Sequence, residues 1–336
     1  MRHNYSQIAI ELVALHNSLT KPNWMDVSPL AVDAIYGTLA LQGWRATLNE
    51  YCQQHPEALA GLLSQTIQRI EFLDIYERPQ ATASLPCRMG IGTYGWKYDG
   101  QIIQRAIEYG LRFIDTAESY GFGRVEDRLG SVVGIHSEVV VATKVARNHM
   151  AYQSVLNAAV RSIKNLGGPL KVYQIHWPTD KLLETVQAMQ YLYLSEHVIA
   201  IGACNMSIDQ LLFVKQKLFP ISLRYAQRRY SLLDRSIERV WLPYCQRTGM
   251  IVIAYSPLGQ AQSKLILRDT LVKDVAKRCG ATPPQVALAW LMSHANVLPI
   301  PRTNNPSHLK ELAEALDLVL TPQQIAELED HFPISE

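Results

Sequence analysis

Cysteine is scarce in this sequence, and its distribution argues against two kinds of stabilised domain. The 336 residues include five cysteines, none of them in a Cys-x-x-Cys pair: Cys52, Cys87, Cys204, Cys245 and Cys279. An odd, widely spaced set indicates neither a disulfide framework nor a structural zinc site. We therefore expect reduced thiols, no metal site and a cytoplasmic protein.

Long apolar runs and an excess of one charge are also missing. No stretch approaches the roughly 20 apolar residues that cross a bilayer. Glu11 and His16 interrupt the N-terminal region, where a signal peptide would have a continuous apolar run. The formal net charge is only +2, with both signs mixed along the chain, whereas a nucleic-acid-binding surface shows a basic stripe. We expect a small-molecule partner and no membrane or nucleic-acid partner.

The first 80 residues show only helical patterns. A first helical face is formed by residues three or four apart, namely Tyr5, Ile8, Leu12, Leu15 and Leu19. Ser28 and Pro29 are a typical helix start, and a third amphipathic run extends from Leu59 to Leu73. We predict a helical N-terminal extension over residues 1–80. Because its apolar faces must be buried, we expect it to pack on the outside of the domain that follows.

From Leu85 onward, short β-branched runs alternate with helical runs. The predicted strands are Met89–Thr93, Arg112–Asp115, Val139–Lys144, Lys171–His176, Ile199–Cys204, Ser222–Gln227, Ile251–Ser256 and Val297–Pro301. The predicted helices lie near 100–109, 125–133, 152–166, 181–195, 207–218, 236–249, 269–293 and 306–317. This α/β alternation over roughly 250 residues indicates a (β/α)8 TIM barrel spanning residues 85–336. The alternative, an open doubly wound sheet, requires a Gly-x-Gly-x-x-Gly turn after its first strand, whereas residues 90–95 have that spacing but begin inside the predicted strand Met89–Thr93.

Polar side chains follow or end every predicted strand. They are Thr93, Tyr94, Asp115, Lys144, His176, Asn205, Gln227, Tyr255, Ser256 and Arg302. Each has an ordinary explanation taken alone: Asp115 as a helix cap, for example, or His176 as a hydrogen-bonded core residue. In a barrel of this kind, however, all eight strand ends meet on one rim, where active sites are built. Their convergence therefore predicts a catalytic site at that rim.

Several motifs resemble those of the aldo-keto reductase superfamily. They are Phe113–Gly121 (FIDTAESYG), Ala142–Lys144 (ATK), Gln174–Pro178 (QIHWP), Ala254–Gly259 (AYSPLG) and Ile300–Pro306 (IPRTNNP) with His308 and Glu311. The resemblance runs in order from about residue 85 to 332. It implies a barrel enzyme that reduces an aldehyde or ketone to an alcohol with a nicotinamide cofactor.

The resemblance implies a catalytic tetrad of Asp115, Tyr120, Lys144 and His176, with Tyr120 as the general acid. Hydride delivered to a carbonyl carbon leaves negative charge on oxygen, which needs a positioned acid. A phenol has an ordinary pKa of about 10. We expect the ammonium of Lys144 to lower the pKa of Tyr120 and Asp115 to hold Lys144. His176 would orient the carbonyl or relay the proton.

The resemblance also implies a cofactor site. Asn205 and Gln227 would hold the nicotinamide carboxamide, Tyr255 would stack on the ring, and Ser256 and Leu258 would line the pyrophosphate path. The remaining implied contacts are Thr93, Tyr94 and Asp115 at the nicotinamide end and Arg302, Thr303, Asn305, His308 and Glu311 at the adenosine end. Since a guanidinium binds phosphate well, we expect Arg302 to hold a 2′-phosphate and NADPH to be preferred. Two departures from the family pattern are Cys204 in place of serine and Leu312 in place of asparagine.

The substrate side is aromatic. Tyr94, Trp96 and Trp177 are expected to form an apolar pocket mouth, although loop packing is an equally ordinary role for Trp96. Such a mouth favours an aldehyde or ketone with apolar bulk, either free or borne by a carrier or peptide. The competing hypothesis is a nicotinamide-binding regulatory or partner-docking protein with little turnover on the same fold.

Overall fold

The computed structural model describes residues 85–134, 136, 138–219 and 221–334. The predicted helical extension over residues 1–80 lies outside the described residues, and so does its boundary with the barrel. Both stay predictions. No helix among the described residues is long and apolar enough to cross a membrane.

Eight parallel strands form one sheet in chain order. They are β1 (Ile91–Gly92), β2 (Phe113–Asp115), β3 (Val140–Val145), β4 (Val172–Ile175), β5 (Ile201–Cys204), β6 (Leu223–Arg229), β7 (Ile251–Tyr255) and β8 (Val297–Pro299). The last strand returns to the first, because Gly90 N donates to Pro299 O at 3.0 Å and Gly92 N donates to Pro301 O at 2.9 Å. The predicted (β/α)8 barrel is therefore confirmed.

Helices lie between the strands and after the last one. They are α1 (Gly100–Glu108), α2 (Arg124–Val133), α3 (Tyr152–Leu166), α4 (Leu182–Leu194), α5 (Ile208–Leu218), α6 (Trp241–Arg247), α7 (Ser263–Leu267), α8 (Thr270–Cys279), α9 (Pro283–Met292), α10 (Pro306–Glu314) and α11 (Pro322–His331). The single helix predicted over 269–293 is wrong. Gly280 ends α8 with a φ of 62°, and α9 starts after Thr282, whose backbone N–H donates to Gln285 Oε1 at 2.9 Å.

Side-chain alternation along the strands positions the site. Successive side chains of a strand point to opposite faces, so one set fills the barrel and the other packs under the helices. On β4, Val172 belongs to the apolar cluster of the barrel interior, whereas Tyr173 and Ile175 belong to the cluster under the helices. Gln174 therefore points into the barrel, above Val172. At this level, towards the carboxyl ends of the strands, the interior changes from apolar to polar.

Arg235 connects the C-terminal helix to the loop after β6. It is buried, its Nε and Nη2 donate to Glu238 at 2.8 Å, and its Nη1 donates to Glu329 O and Phe332 O at 2.7 Å. Hydrogen bonds to charged groups each contribute about 1.5–3 kcal/mol. Because one partner of a buried ion pair is removed, we expect Arg235→Met to lower the free energy of unfolding by about 3–5 kcal/mol in urea denaturation. The exposed Arg239→Met is the control, and equal stability of the two variants would contradict the assignment.

Candidate active site

A buried ion pair lies at the centre of the rim. Lys144 Nζ donates to both carboxylate oxygens of Asp115 and to Thr116 O, each at 2.7 Å. Lys144 is 2% exposed and Asp115 is 4% exposed. Burial is the largest single effect and lowers the pKa of Lys144, but the carboxylate of Asp115, with smaller contributions from Tyr120 and Cys204, shifts the pKa upward overall. Lys144 is therefore a fixed ammonium held at one point by three short hydrogen bonds.

Tyr120 lies beside this ammonium. Lys144 Nζ is 5.4 Å from the centroid of the Tyr120 ring. Burial raises the pKa of Tyr120 to about 12, while Lys144 acts in the opposite direction. The expected net lowering of this pKa is therefore wrong: Lys144 contributes as expected, but desolvation is the larger effect. The phenol stays protonated at neutral pH and can serve as a proton donor.

His176 completes the predicted tetrad. Its ring centroid is 6.1 Å from that of Tyr120, in an edge-to-face arrangement. Burial, with a smaller contribution from Lys144, lowers the pKa of His176 to about 3. The imidazole is thus neutral at physiological pH and has one N–H to donate. A neutral imidazole and a protonated phenol side by side can both donate to a single oxygen atom.

An amide network lies beneath the ion pair. Gln227 Nε2 donates to Asp115 Oδ1 at 3.1 Å, and Gln174 Nε2 approaches the same oxygen at 3.5 Å. The thiol of Cys204 donates to Gln227 Oε1 at 3.0 Å. These side chains are all buried. Together they satisfy a carboxylate that would be costly to bury with the lysine alone.

Asn205 and Tyr255 form a second hydrogen-bonded group at the ends of β5 and β7. Tyr255 OH donates to Asn205 Oδ1 at 2.9 Å, and Asn205 Nδ2 donates to His176 O at 3.1 Å. Asn205 and Ser256 adopt positive φ angles of 58° and 52°. Such angles are uncommon outside glycine and are frequent at functional sites. Asn205 immediately follows β5 and Ser256 immediately follows β7, and both residues are predicted cofactor contacts.

The loop after β8 joins the loop after β1. Arg302 Nη1 donates to Gly95 O at 3.4 Å, and Asn304 Nδ2 donates to the same oxygen at 3.1 Å. Asn305 caps α10 by accepting from Ser307 N at 2.9 Å. Arg302 is exposed and lies four residues before the start of α10.

The other predicted adenosine contacts lie on this same segment. Thr303 binds the backbone of Asn305 through its hydroxyl, and His308 is exposed on the first turn of α10. Glu311 lies one turn further along the helix, where its carbonyl accepts from Gln285. Thr93, by contrast, is buried, and its hydroxyl donates to Asp115 O at 3.0 Å.

Comparison with known proteins decides the family. The profile of the Aldo/keto reductase family matches residues 88–332. The chain belongs to this family. Methylglyoxal reductase YeaE of Escherichia coli is 31% identical over 236 residues, which cover 69% of this chain and 83% of that protein. The chloroplastic pyridoxal reductase of Arabidopsis thaliana is 31% identical over 299 residues, covering 72% of this chain and 82% of the relative.

Solved structures agree with this assignment. The aldo/keto reductase from Klebsiella pneumoniae, in complex with NADP and acetate, superposes with a TM-score of 0.68 at 30% identity. That match covers 74% of this chain and 92% of the Klebsiella chain. A structure of the enzyme from the same organism in complex with NADPH gives the same score. As a member of the aldo/keto reductase family, the chain is an oxidoreductase.

The two departures from the aldo/keto reductase pattern have structural explanations. Cys204 is 1% exposed and uses its thiol as a donor to Gln227, which a serine hydroxyl would also do. Leu312 is 4% exposed and packs in the core beside α1. The side chain of Leu312 therefore contributes to the apolar core.

The aromatic mouth of this aldo/keto reductase differs from the prediction at one position. Tyr94 is 64% exposed and Trp177 is 43% exposed, and each ring neighbours a tetrad ring, Tyr120 and His176 respectively. Trp96 is only 5% exposed and belongs to the apolar cluster that includes Ile102. The prediction of Trp96 at the mouth is therefore corrected to loop packing.

Two polar residues of the aldo/keto reductase site were missed. Gln174 follows Val172 by two on β4, so strand alternation could have placed it beside the buried Lys144–Asp115 ion pair. Glu118 is buried within the motif that carries Tyr120, but no pattern in the sequence distinguishes it from a surface residue. Among the described residues, no group of three or more His, Cys, Asp or Glu side chains could hold a metal ion.

Proposed function

We propose that this aldo/keto reductase uses NADPH to reduce an aldehyde or ketone to an alcohol, with Tyr120 as the general acid. The observation that carries the proposal is that the Tyr120 phenol lies beside both the Lys144 ammonium and the neutral ring of His176. Such a set stabilises negative charge that develops on a carbonyl oxygen and then neutralises it with a proton.

The proton chemistry follows from the environments of the two donors. Tyr120 and His176 orient the carbonyl oxygen by hydrogen bonds. Tyr120 Oη then gives up its proton to that oxygen, because an alkoxide is a stronger base than a phenolate. Lys144 stabilises the resulting phenolate. Asp115 keeps Lys144 in place and acts as a positioning residue.

The residues present fit a nicotinamide cofactor. An amide has two N–H groups and two acceptor lone pairs. After its contacts with His176 and Tyr255, Asn205 retains one N–H and one lone pair, the complement of a carboxamide. Gln227 retains one N–H, because its other N–H donates to Asp115, while its oxygen already accepts from Cys204 and Gln174. Bound NADPH would supply the hydride, with Tyr255 against its ring and Ser256 and Leu258 along its pyrophosphate.

Cofactor choice is proposed to rest on Arg302. Arg302→Ala should weaken the binding of NADPH by about 1.5–3 kcal/mol, roughly 10- to 100-fold, because one charge-assisted contact to the 2′-phosphate is lost. NADH lacks that phosphate, so its affinity should change little. Fluorescence titration of both cofactors on wild type and variant measures the difference. Equal weakening of NADPH and NADH would show that Arg302 does not bind the 2′-phosphate.

The proposed substrates are aldehydes and ketones with apolar bulk, because the exposed rings of Tyr94 and Trp177 border the tetrad. Oxidation of NADPH with a panel of such compounds, together with methylglyoxal and pyridoxal, tests the proposal. We expect turnover on at least the better-fitting members. Tight binding of NADPH with no turnover on any compound would instead support the nicotinamide-binding regulatory protein.

A further inference from the structure

Main-chain hydrogen bonds between the β2 and β3 segments continue beyond the last residue of β2. Thr116 N donates to Ala142 O at 2.8 Å and Glu118 N donates to Lys144 O at 3.4 Å, so the parallel ladder with β3 continues past the end of the strand. In such a ladder the bonds are evenly spaced, and the next donor on the β3 side is Ala146 N. If β2 continued as a regular strand, the main-chain carbonyl of Glu118 would accept from Ala146 N.

The side chain of Glu118 takes the place of that carbonyl. Ala146 N donates to Glu118 Oε1 at 2.7 Å. The backbone is thereby released from the ladder at residue 118 and turns into the segment that carries Tyr120, two residues later. The carboxylate holds this turn to the same strand end that presents Lys144.

The carboxylate of Glu118 is buried and satisfied by further partners. Its side chain is 7% exposed, Oε1 lies 3.0 Å from His149 Nδ1, and Oε2 accepts from Arg161 at 3.2 Å. A buried carboxylate with a backbone donor and a basic partner is fixed in position. None of these three partners is a member of the tetrad. The Glu118 carboxylate therefore makes no direct contact in this set with Lys144, Asp115 or Tyr120.

We propose that Glu118 is a positioning residue that sets the placement of the Tyr120 hydroxyl relative to Lys144. This inference rests on the proposed role of Tyr120 as the acid. The carboxylate acts through its bond to Ala146 N, which ties the loop of the acid to the strand of the ammonium. Because a misplacement of about 1 Å costs on the order of 10²-fold in rate, loss of this tie should act on the chemical step.

Steady-state kinetics on Glu118→Ala and Glu118→Gln test the inference. We expect Glu118→Ala to lower kcat by roughly 10²-fold, with the KM for the carbonyl substrate and the Kd of NADPH nearly unchanged. Glu118→Gln keeps an amide oxygen for Ala146 N and should recover most of kcat. If Glu118→Ala does not fold, Glu118→Asp carries the test, since its shorter side chain keeps the charge but reaches less far.

Glu126→Ala is the matched control. Glu126 is another buried glutamate, 1% exposed, in helix α2 shortly after Tyr120. Its carboxylate accepts hydrogen bonds from the side chains of Thr143 and Asn165. We expect this variant to melt at a lower temperature with kcat retained. Equal loss of kcat in Glu118→Ala and Glu126→Ala, or equal loss in Glu118→Ala and Glu118→Gln, would overturn the inference.

The inference and the proposed function fail in different ways. A wild-type enzyme that turns over, a Tyr120→Phe variant that does not, and a Glu118→Ala variant with normal kcat would overturn only the role of Glu118. A wild-type protein that binds NADPH but reduces no carbonyl would overturn both.

Discussion

Replacing Tyr120 with Phe is expected to lower turnover by roughly 10²- to 10⁴-fold, the range for loss of a general acid. The phenol, with a pKa raised to about 12 by burial, carries its proton throughout the neutral range. Removing the hydroxyl takes away the proton donor that we propose beside Lys144. Initial rates of NADPH oxidation at saturating substrate measure the loss.

The affinity for NADPH provides the control for this variant. We expect its Kd to stay within a few-fold of the wild-type value, because the cofactor contacts proposed above involve other residues. Tyr109→Phe removes a hydroxyl from an exposed tyrosine at the end of α1 and should leave turnover unchanged. Near-normal turnover in Tyr120→Phe would show that another group supplies the proton.

Replacing Lys144 with Met should damage both stability and activity. Removing one partner of a buried ion pair leaves the other charge uncompensated and costs about 3–5 kcal/mol. Asp115 would keep only its amide contacts with Gln227 and Gln174. We expect the free energy of unfolding to fall by about that amount in urea denaturation, and turnover to become undetectable.

The double variant Lys144→Met, Asp115→Asn separates the two effects. The amide that replaces the carboxylate would carry no charge, so much of the lost stability should return. Turnover should not return, because the ammonium beside Tyr120 is still missing. A Lys144→Met protein as stable as wild type would contradict the buried ion pair, and a double variant with normal turnover would contradict the role of the ammonium.

The order of the barrel strands could be predicted because each strand is a short β-branched run followed by a helix. β7, for instance, was placed at Ile251–Ser256 and spans Ile251–Tyr255. Helix boundaries set by single residues were harder. The apolar pattern continues from α8 into α9, but Gly280 ends the first helix in the left-handed conformation, and Thr282 and Pro283 begin the second. The helix Pro322–His331 was not predicted, although Thr321 and Gln324 form a capping box.

The tetrad could be predicted because its members stand at or close after strand ends and in recognisable motifs. The direction in which the pKa of Tyr120 shifts could not be predicted, since it depends on how far burial outweighs the effect of the Lys144 ammonium. The position of Trp96 also depends on the path of the loop after β1, which carries no periodic pattern. The role of Glu118 follows from one hydrogen bond to Ala146 N, formed 28 residues apart in the chain.

The proposed function depends on hydride transfer from NADPH to a carbonyl carbon. Incubation with NADPH carrying deuterium at the transferred position, followed by mass spectrometry of the product, tests this most directly. We predict an alcohol with one deuterium on the carbinol carbon, formed by the wild type and at least about 10²-fold more slowly by Tyr120→Phe. Tight cofactor binding without any deuterated alcohol would contradict hydride transfer by this protein.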